Sequence, residues 1–144
     1  MDTKFSVALH ILVMLSESKK TLSSQALATS VGTNASYIRK VMLLLKNAGL
    51  ITSKQGRLSY QLSKSPKDMT LLEIYFATQE VDHISIFQIH QNANKECPVG
   101  KHIKSAMTPI FSGVEQQLEK NLSTQTLADV IAELYHVADQ NIDA

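Results

Sequence analysis

Two short segments between Ser23 and Leu50 carry apolar residues at helical spacing, and a glycine separates them. The first segment has one apolar stripe, formed by Leu27, Ala28 and Val31. The second, Asn34–Asn47, has a longer stripe formed by Ile38, Val41, Met42, Leu44 and Leu45. Gly32 permits a tight turn between them, and Gly49 is a natural residue to end the second helix. The pattern predicts two helices joined by a tight turn.

The exposed leading end of the second predicted helix is polar and basic. It carries Asn34, Ser36, Tyr37, Arg39 and Lys40. In a helix-turn-helix, a second helix of this kind enters the DNA major groove and its first residues contact base edges. We therefore predict that Asn34–Asn47 is a recognition helix.

After Gly49 the pattern changes from helical spacing to alternation. Leu50 and Ile51 begin a predicted strand, a turn centres on Gly56, and a second strand follows with alternating Leu58, Tyr60 and Leu62. Two strands directly after a recognition helix form a wing. Its tip would place Lys54, Gln55 and Arg57 near a phosphate or the minor groove. The alternative is a hairpin tip that contacts only solvent.

Helical patterns also flank this unit. One helix is predicted over residues 3–16, and Thr70 and Glu73 form a capping box that opens another. Residues 79–96 are ambiguous: ISIFQI fits a short strand or a helical turn, and QNANKE is loop-like. A short helix is predicted to begin at Thr126.

A long helical pattern runs from Val99 to Leu122. Its apolar stripe includes Ile103, Met107, Ile110, Phe111, Val114 and Leu118. Such a stripe predicts a dimer seam with a second copy, and packing within the monomer is the alternative. Pro109 predicts either a bend or a new helix start capped by Thr108.

Charge divides the chain into two unlike halves. Residues 1–70 hold ten Lys and Arg against three Asp and Glu, whereas residues 71–144 hold four Lys against ten Asp and Glu. This asymmetry is typical of a nucleic-acid-binding part joined to a non-binding part, although chance clustering is the alternative. We predict a winged helix-turn-helix DNA-binding domain at 1–70, followed at 71–144 by linker helices, a long dimerisation helix and a C-terminal helix. The fold class is mainly α with a small two-stranded wing.

The remaining sequence features exclude other protein classes. No apolar run approaches the ~18 residues of a membrane span, and the N-terminal apolar run has no cleavage site, so we expect a cytoplasmic protein. No Gly-rich phosphate loop and no catalytic Ser, Cys or His–carboxylate signature is present, so we expect no enzyme. A winged helix that binds another protein, as an adaptor, remains a different interpretation.

The assembled motifs resemble the Rrf-two (Rrf2) family of bacterial winged-helix regulators over nearly the full length. The matching stretches are Ser23–Ser24, Leu27–Ala28, Val31, Ser36–Ile38, Lys40–Val41, Leu44, Ala48–Ile51, Gly56, Tyr60–Lys64, Thr70–Glu73 and Thr126–Val130. The resemblance implies a homodimeric regulator, by default a repressor, in which each winged helix binds half of a near-palindromic site in double-stranded DNA.

The resemblance also implies roles for single residues. Ser36, Tyr37, Arg39 and Lys40 would face the groove, with Arg39 on a base edge, and Ser24 would lie where a helix N-terminus holds a phosphate. The wing departs from the family pattern, because Arg57 follows Gly56 instead of preceding it and the usual glycine pair is missing.

Cys97 is the single cysteine, whereas cluster-binding members of the family carry three. One thiolate cannot hold an iron–sulfur cluster, so we expect no cofactor. Three interpretations of the segment from His83 to His102 stay open, and the effector is unknown. The cysteine is inert, or it is a thiol switch, or it binds a metal together with His83, His90 and His102.

Overall fold

A computed structural model describes residues 2–53 and 60–140 of the chain. Within these ranges, the chain forms six α-helices, two strands and one 3-10 helix at Pro66–Asp68. The helices are α1 (Lys4–Glu17), α2 (Ser24–Val31), α3 (Ala35–Asn47), α4 (Leu71–Gln79), α5 (Pro98–Thr124) and α6 (Leu127–Gln140). The strands are β1 (Ile51–Ser53) and β2 (Tyr60–Leu62). The prediction of a mainly helical fold with a two-stranded wing is confirmed.

The helix-turn-helix is delimited by side-chain caps at its starts and by left-handed glycines at its ends. The Ser23 hydroxyl accepts the N–H of Ala26 at 3.0 Å, which fixes the start of α2. Gly32 (φ 85°) ends α2, and Gly49 (φ 77°) follows α3. These conformations favour glycine, so the two helices stop where the sequence predicts.

One hydrophobic core lies beneath α3. Its buried members come from every helix except α5 and from the segments that connect them: Val7, Ala8, Ile11, Leu12, Leu27, Ala28, Ile38, Val41, Met42, Leu45, Leu50, Ile51, Met69, Leu71, Ile74, Ala77 and Leu127. Helix α1 packs behind α2 and α3, as its apolar spacing predicts. We call these three helices, together with β1 and β2, the head.

The wing strands pair in antiparallel register. Ile51 lies opposite Leu62, and Ser53 lies opposite Tyr60. Ile51 is buried in the core, which fixes the base of the hairpin to the head. The predicted tip residues Lys54, Gln55 and Arg57, with the turn at Gly56, fall outside the described residues.

The C-terminal helix returns to the head. The N–H of Leu127 donates to the carbonyl of Met69, and the N–H of Leu71 donates to the carbonyl of Gln125, both at 2.9 Å. Leu127 is fully buried in the same core as α1 and α2. The predicted capping box of Thr70 and Glu73 is present at the start of α4. The core therefore crosses residue 70, and the division of the chain there stays a prediction.

No regular element joins α4 to α5 within the described residues, so ISIFQI forms neither of the two predicted elements. Residues 84–87, which we call the strap, are held against α5 by two glutamates. Glu119 accepts the N–H of Ile84 at 2.6 Å, and Glu115 accepts those of Ile86 at 2.6 Å and Phe87 at 3.2 Å. These carboxylates supply the hydrogen bonds that a partner strand would otherwise give.

Helix α5 runs through Pro109 without a break, so the predicted new start at Thr108 is wrong. The Thr108 hydroxyl donates to the carbonyl of Lys104 one turn back, as a threonine inside a helix does, and does not cap a new helix. All of α5 is described, and none of its residues is buried. Within residues 2–53 and 60–140, no helix has the length and apolar character of a membrane span.

Candidate nucleic-acid interface

Helix α3, the predicted recognition helix, has one face in the core and the opposite face in solvent. Ile38, Val41, Met42 and Leu45 are buried against the head. Ser36, Arg39 and Lys40 are exposed on the other side. The structure therefore brings three of the predicted groove residues together on one accessible face.

A surface cleft of about 450 Å³ separates the start of α2 from α3 and the wing. It is lined by Ser23, Ser24, Gln25, Ala35, Arg39, Met42 and Tyr60. Ser24 and Gln25 occupy the first two positions of α2, where backbone N–H groups have no carbonyl partner within the helix. These donors and the Arg39 guanidinium line one cleft, an arrangement that suits a phosphate beside the groove.

Asn34 and Tyr37 are engaged inside the protein. The Asn34 side-chain oxygen accepts the N–H of Tyr37 at 2.8 Å and so caps α3. The Tyr37 hydroxyl lies 3.2 Å from the Thr3 hydroxyl, and its half-buried ring packs against the core. The structure thus places Tyr37 beside the start of α1, while Asn34 keeps its amide N–H groups and one oxygen lone pair for another partner.

Wing strand β2 contacts the C-terminal half of α3. The Lys46 ammonium lies 6.0 Å from the centroid of the Tyr60 ring, at the outer limit for a cation–π contact. Tyr60 also lines the cleft that contains Arg39. The base of the wing therefore adjoins α3 on its exposed side.

The head has an uninterrupted basic stretch. Residues 18–67 contain nine Lys and Arg and no Asp or Glu. The caps of α2 and α3, helix α3 itself and both wing strands fall inside these fifty residues. A phosphate backbone approaching this side meets no carboxylate from the stretch, which favours binding to a polyanion.

The apolar stripe on α5, which predicts a dimer seam, has an exposed part and a half-buried part. Ile110, Val114 and Leu118 are 64%, 46% and 37% exposed. Ile103, Met107 and Phe111 are half-buried. Phe111 packs on Phe87 of the strap, with ring centroids 4.9 Å apart. Packing within the monomer therefore covers only part of the stripe.

Cys97 is exposed at the cap position of α5. The backbone N–H groups of Gly100 and Val99, in the first turn of α5, lower the pKa of the thiol, although its sulfur forms no cap hydrogen bond of normal geometry. Lysine side chains do not contribute to this shift in the pKa of Cys97. Helix starts favour a thiolate for this reason.

The histidines of the same segment do not form a metal site with Cys97. Across residues 2–53 and 60–140, no three His, Cys, Asp or Glu side chains come together as a metal site. His83 pairs instead with Asp82 at 2.8 Å, and this carboxylate raises the pKa of the imidazole. The donor set of the described residues therefore does not fit an iron centre or an iron–sulfur cluster.

Two features of the site were missed by sequence reasoning. Leu43 lies exposed on α3 among the basic residues. In the sequence, the only indication of this is that an apolar residue follows Arg39 by four positions, on the same side of the helix. The strap contacts of Glu115 and Glu119 have a weaker signal, since two glutamates four residues apart are common on helices.

Solved structures with the same fold include regulators and a candidate DNA-binding protein. The latter is 37% identical, with a TM-score of 0.73, over 89% of this chain and 98% of that chain. The structure of CymR (YrzC), the global cysteine regulator of B. subtilis, is 19% identical, with a TM-score of 0.67, over 92% and 95% of the two chains. At that identity, CymR shows the fold alone.

Sequence comparison extends this likeness to function. YwnA, a candidate HTH-type transcriptional regulator of Bacillus subtilis (strain 168), is 39% identical over 93% of this chain and 98% of its own length. The sequence model of the Rrf2 family, described as an iron-dependent transcriptional regulator, matches residues 1–133. The side chains of residues 2–53 and 60–140 offer no cluster of three His, Cys, Asp or Glu that would hold iron. The resemblance seen in the sequence is confirmed: this chain belongs to the Rrf2 family of DNA-binding transcriptional regulators, which are not enzymes.

Proposed function

We propose that this regulator is a cytoplasmic homodimeric repressor that binds a near-palindromic operator through helix Asn34–Asn47 and the wing around Gly56. The observation that carries the proposal is the exposed face of α3, which presents Ser36, Arg39 and Lys40 and whose Arg39 lines one cleft with the donors at the start of α2. Two copies of this face, related by a two-fold axis, would bind two equivalent half-sites.

The dimer is supported by the uncovered part of the α5 stripe. Ile110, Val114 and Leu118 project from a helix that has no buried residue along its described length. An isologous contact places the same stripe of a second copy against it and removes this apolar surface from water. We assign the seam to these residues together with Ile103, Met107 and Phe111.

Within each half-site, Arg39 is assigned to a guanine, because a guanidinium can donate two hydrogen bonds to the O6 and N7 atoms of that base. Lys40 and the start of α2 are assigned to phosphates, which position the protein without selecting sequence. An adaptor that binds only proteins would have no need for a fifty-residue stretch without a carboxylate. This stretch favours DNA as the direct partner.

The test begins with the full-length protein and a random duplex library. Selection should yield a two-fold-symmetric sequence, and footprinting should show two protected half-sites about one helical turn or a multiple apart. Affinity should fall steeply with rising salt as phosphate contacts are lost. A reporter gene downstream of the selected site should be silenced when the protein is expressed.

The informative variant is Arg39→Ala, because Arg39 is exposed and its loss should leave the core intact. We expect about a 30-fold or greater loss of affinity for the selected site and a relaxed preference at one base pair in each half-site, because ~1–3 kcal/mol is lost at each of the two half-sites. Lys120→Ala removes one positive charge from an exposed position on α5 and serves as the control. Equal effects of the two variants would refute the assignment of Arg39.

A second candidate function is the same regulator switched by oxidation of Cys97, favoured by the lowered pKa of its exposed thiol. The thiolate would attack hydrogen peroxide, break its O–O bond, and give a sulfenic acid and water once a proton is taken up. Footprinting with and without peroxide tests this directly. Protection lost in the native protein but retained in Cys97→Ser supports the switch, and identical footprints exclude it.

A further inference from the structure

One side chain on the exposed face of α3 is apolar, whereas its neighbours there are polar or charged. Leu43 is 55% exposed, whereas the other apolar residues along α3, including Ile38 and Leu45, are buried or half-buried. It follows Arg39 by four residues and Lys40 by three, so it lies beside both of them on the helix surface.

The position of Leu43 follows from helix geometry. At 3.6 residues per turn, it lies about 165° from the middle of the buried side defined by Ile38, Val41 and Leu45. It lies close to the line through Ser36, seven residues earlier. Leu43 is therefore near the centre of the face that the proposed function directs into the groove.

The surroundings of Leu43 restrict what can cover it. Arg39, Lys40 and Lys46 ring it with positive charge, and the head has no carboxylate between Glu17 and Asp68. The complementary surface must therefore carry negative charge around a small apolar spot. The DNA major groove has this character, because phosphates border it and the C5-methyl group of thymine is its apolar feature.

We propose that Leu43 contacts the C5-methyl group of a thymine in each half-site and makes the regulator select thymine there. The proposal rests on the proposed function, which supplies the DNA complex. The step from Arg39 to Leu43 advances ~6 Å along α3. The selected thymine therefore lies within about two base-pair steps of the base pair contacted by Arg39.

The test replaces thymine by uracil, which removes only the methyl group. In the selected operator, each symmetric pair of thymines is replaced by deoxyuridine in turn, and Kd is measured for the native protein and for Leu43→Ala. Burial of one methyl group corresponds to about fourfold in affinity, so one symmetric pair should weaken the native protein about fifteenfold. The same replacement should leave the affinity of Leu43→Ala unchanged.

Arg39→Ala is the control variant for these measurements. It should lose the preference for guanine but still bind the uracil-containing operator more weakly than the thymine-containing one. Because Leu43 is exposed, thermal unfolding of Leu43→Ala should coincide with that of the native protein, which excludes misfolding as the cause. Tolerance of uracil at every position, or a penalty that persists in Leu43→Ala, overturns the proposal while leaving DNA binding established. Absence of sequence-preferring duplex binding by the native protein overturns the proposed function and this inference together.

Discussion

Replacing Ile110 by aspartate should separate the proposed dimer without unfolding the protomer. Ile110 is 64% exposed in the protomer and lies in the uncovered part of the α5 stripe. In the protomer, the new carboxylate would point into water at little cost. In the dimer, it would be buried near its own symmetry mate, where a charge without a partner is strongly unfavourable.

The size of the effect follows from the exposed area. The exposed fractions of Ile110, Val114 and Leu118 together amount to about one and a half whole side chains. Burying them contributes ~2–4 kcal/mol per protomer, or ~4–9 kcal/mol per dimer. Association costs ~4–15 kcal/mol in lost translational and rotational freedom, so the free energy gained by burying this stripe is comparable to that cost. Loss of both Ile110 contacts and burial of two charges should cost ~4 kcal/mol or more, about a thousandfold in dimer affinity.

Sedimentation equilibrium measures this directly as the mass of the native protein and of Ile110→Asp across a concentration series. The control is Gln116→Asp, because Gln116 is exposed on the other side of the same helix, two residues after Val114. We expect a protomer for the first variant, a dimer for the second, and weakened operator binding for the first alone. A dimer that survives Ile110→Asp would refute the assignment of the seam.

Further predictions concern stability and reactivity. Gly49→Ala should lower the free energy of unfolding by ~1–2 kcal/mol, because the φ of 77° at this position is left-handed. Gly113→Ala should raise the free energy of unfolding by ~0.5–1 kcal/mol, because Gly113 lies inside α5 with open space beside it. Urea titration measures both changes, and changes of equal sign would contradict the backbone argument. Leu127→Ala should cost ~2–5 kcal/mol by leaving a cavity, and a comparable loss in the half-exposed Leu134→Ala would contradict this dependence on burial. Because the pKa of Cys97 is lowered, its alkylation by iodoacetamide should rise to its plateau at a lower pH in the folded protein than in urea, and coincident pH profiles would refute the effect of the helix start.

Local features of this fold were predictable because each depends on neighbours in the sequence. The caps at Ser23 and Asn34 and the capping box at Thr70 need only residues three positions apart. Gly49 marks the end of α3 because few other residues adopt its φ. The exposed polar face of α3 could be predicted for the same reason, since helical spacing alone separates Arg39 from the core.

Pairings between distant residues were not predictable in this way. Periodicity shows that one side of a segment is apolar but does not identify what that side packs against. Nothing local in the sequence indicates that Glu119 accepts the N–H of Ile84 or that Tyr37 turns toward Thr3. Exposure of Leu43 was missed for a related reason, because an apolar residue among others is assigned to the core by default.

The return of α6 to the head has a genetic consequence. Leu127 closes the core beneath α3, the helix that we propose binds DNA, although it lies 80 residues after the end of that helix. A truncated product that ends before Gln125 would lose this contact and the two backbone hydrogen bonds beside it. We expect such a product to be degraded instead of competing with the intact protein for operators, so a nonsense allele should be recessive.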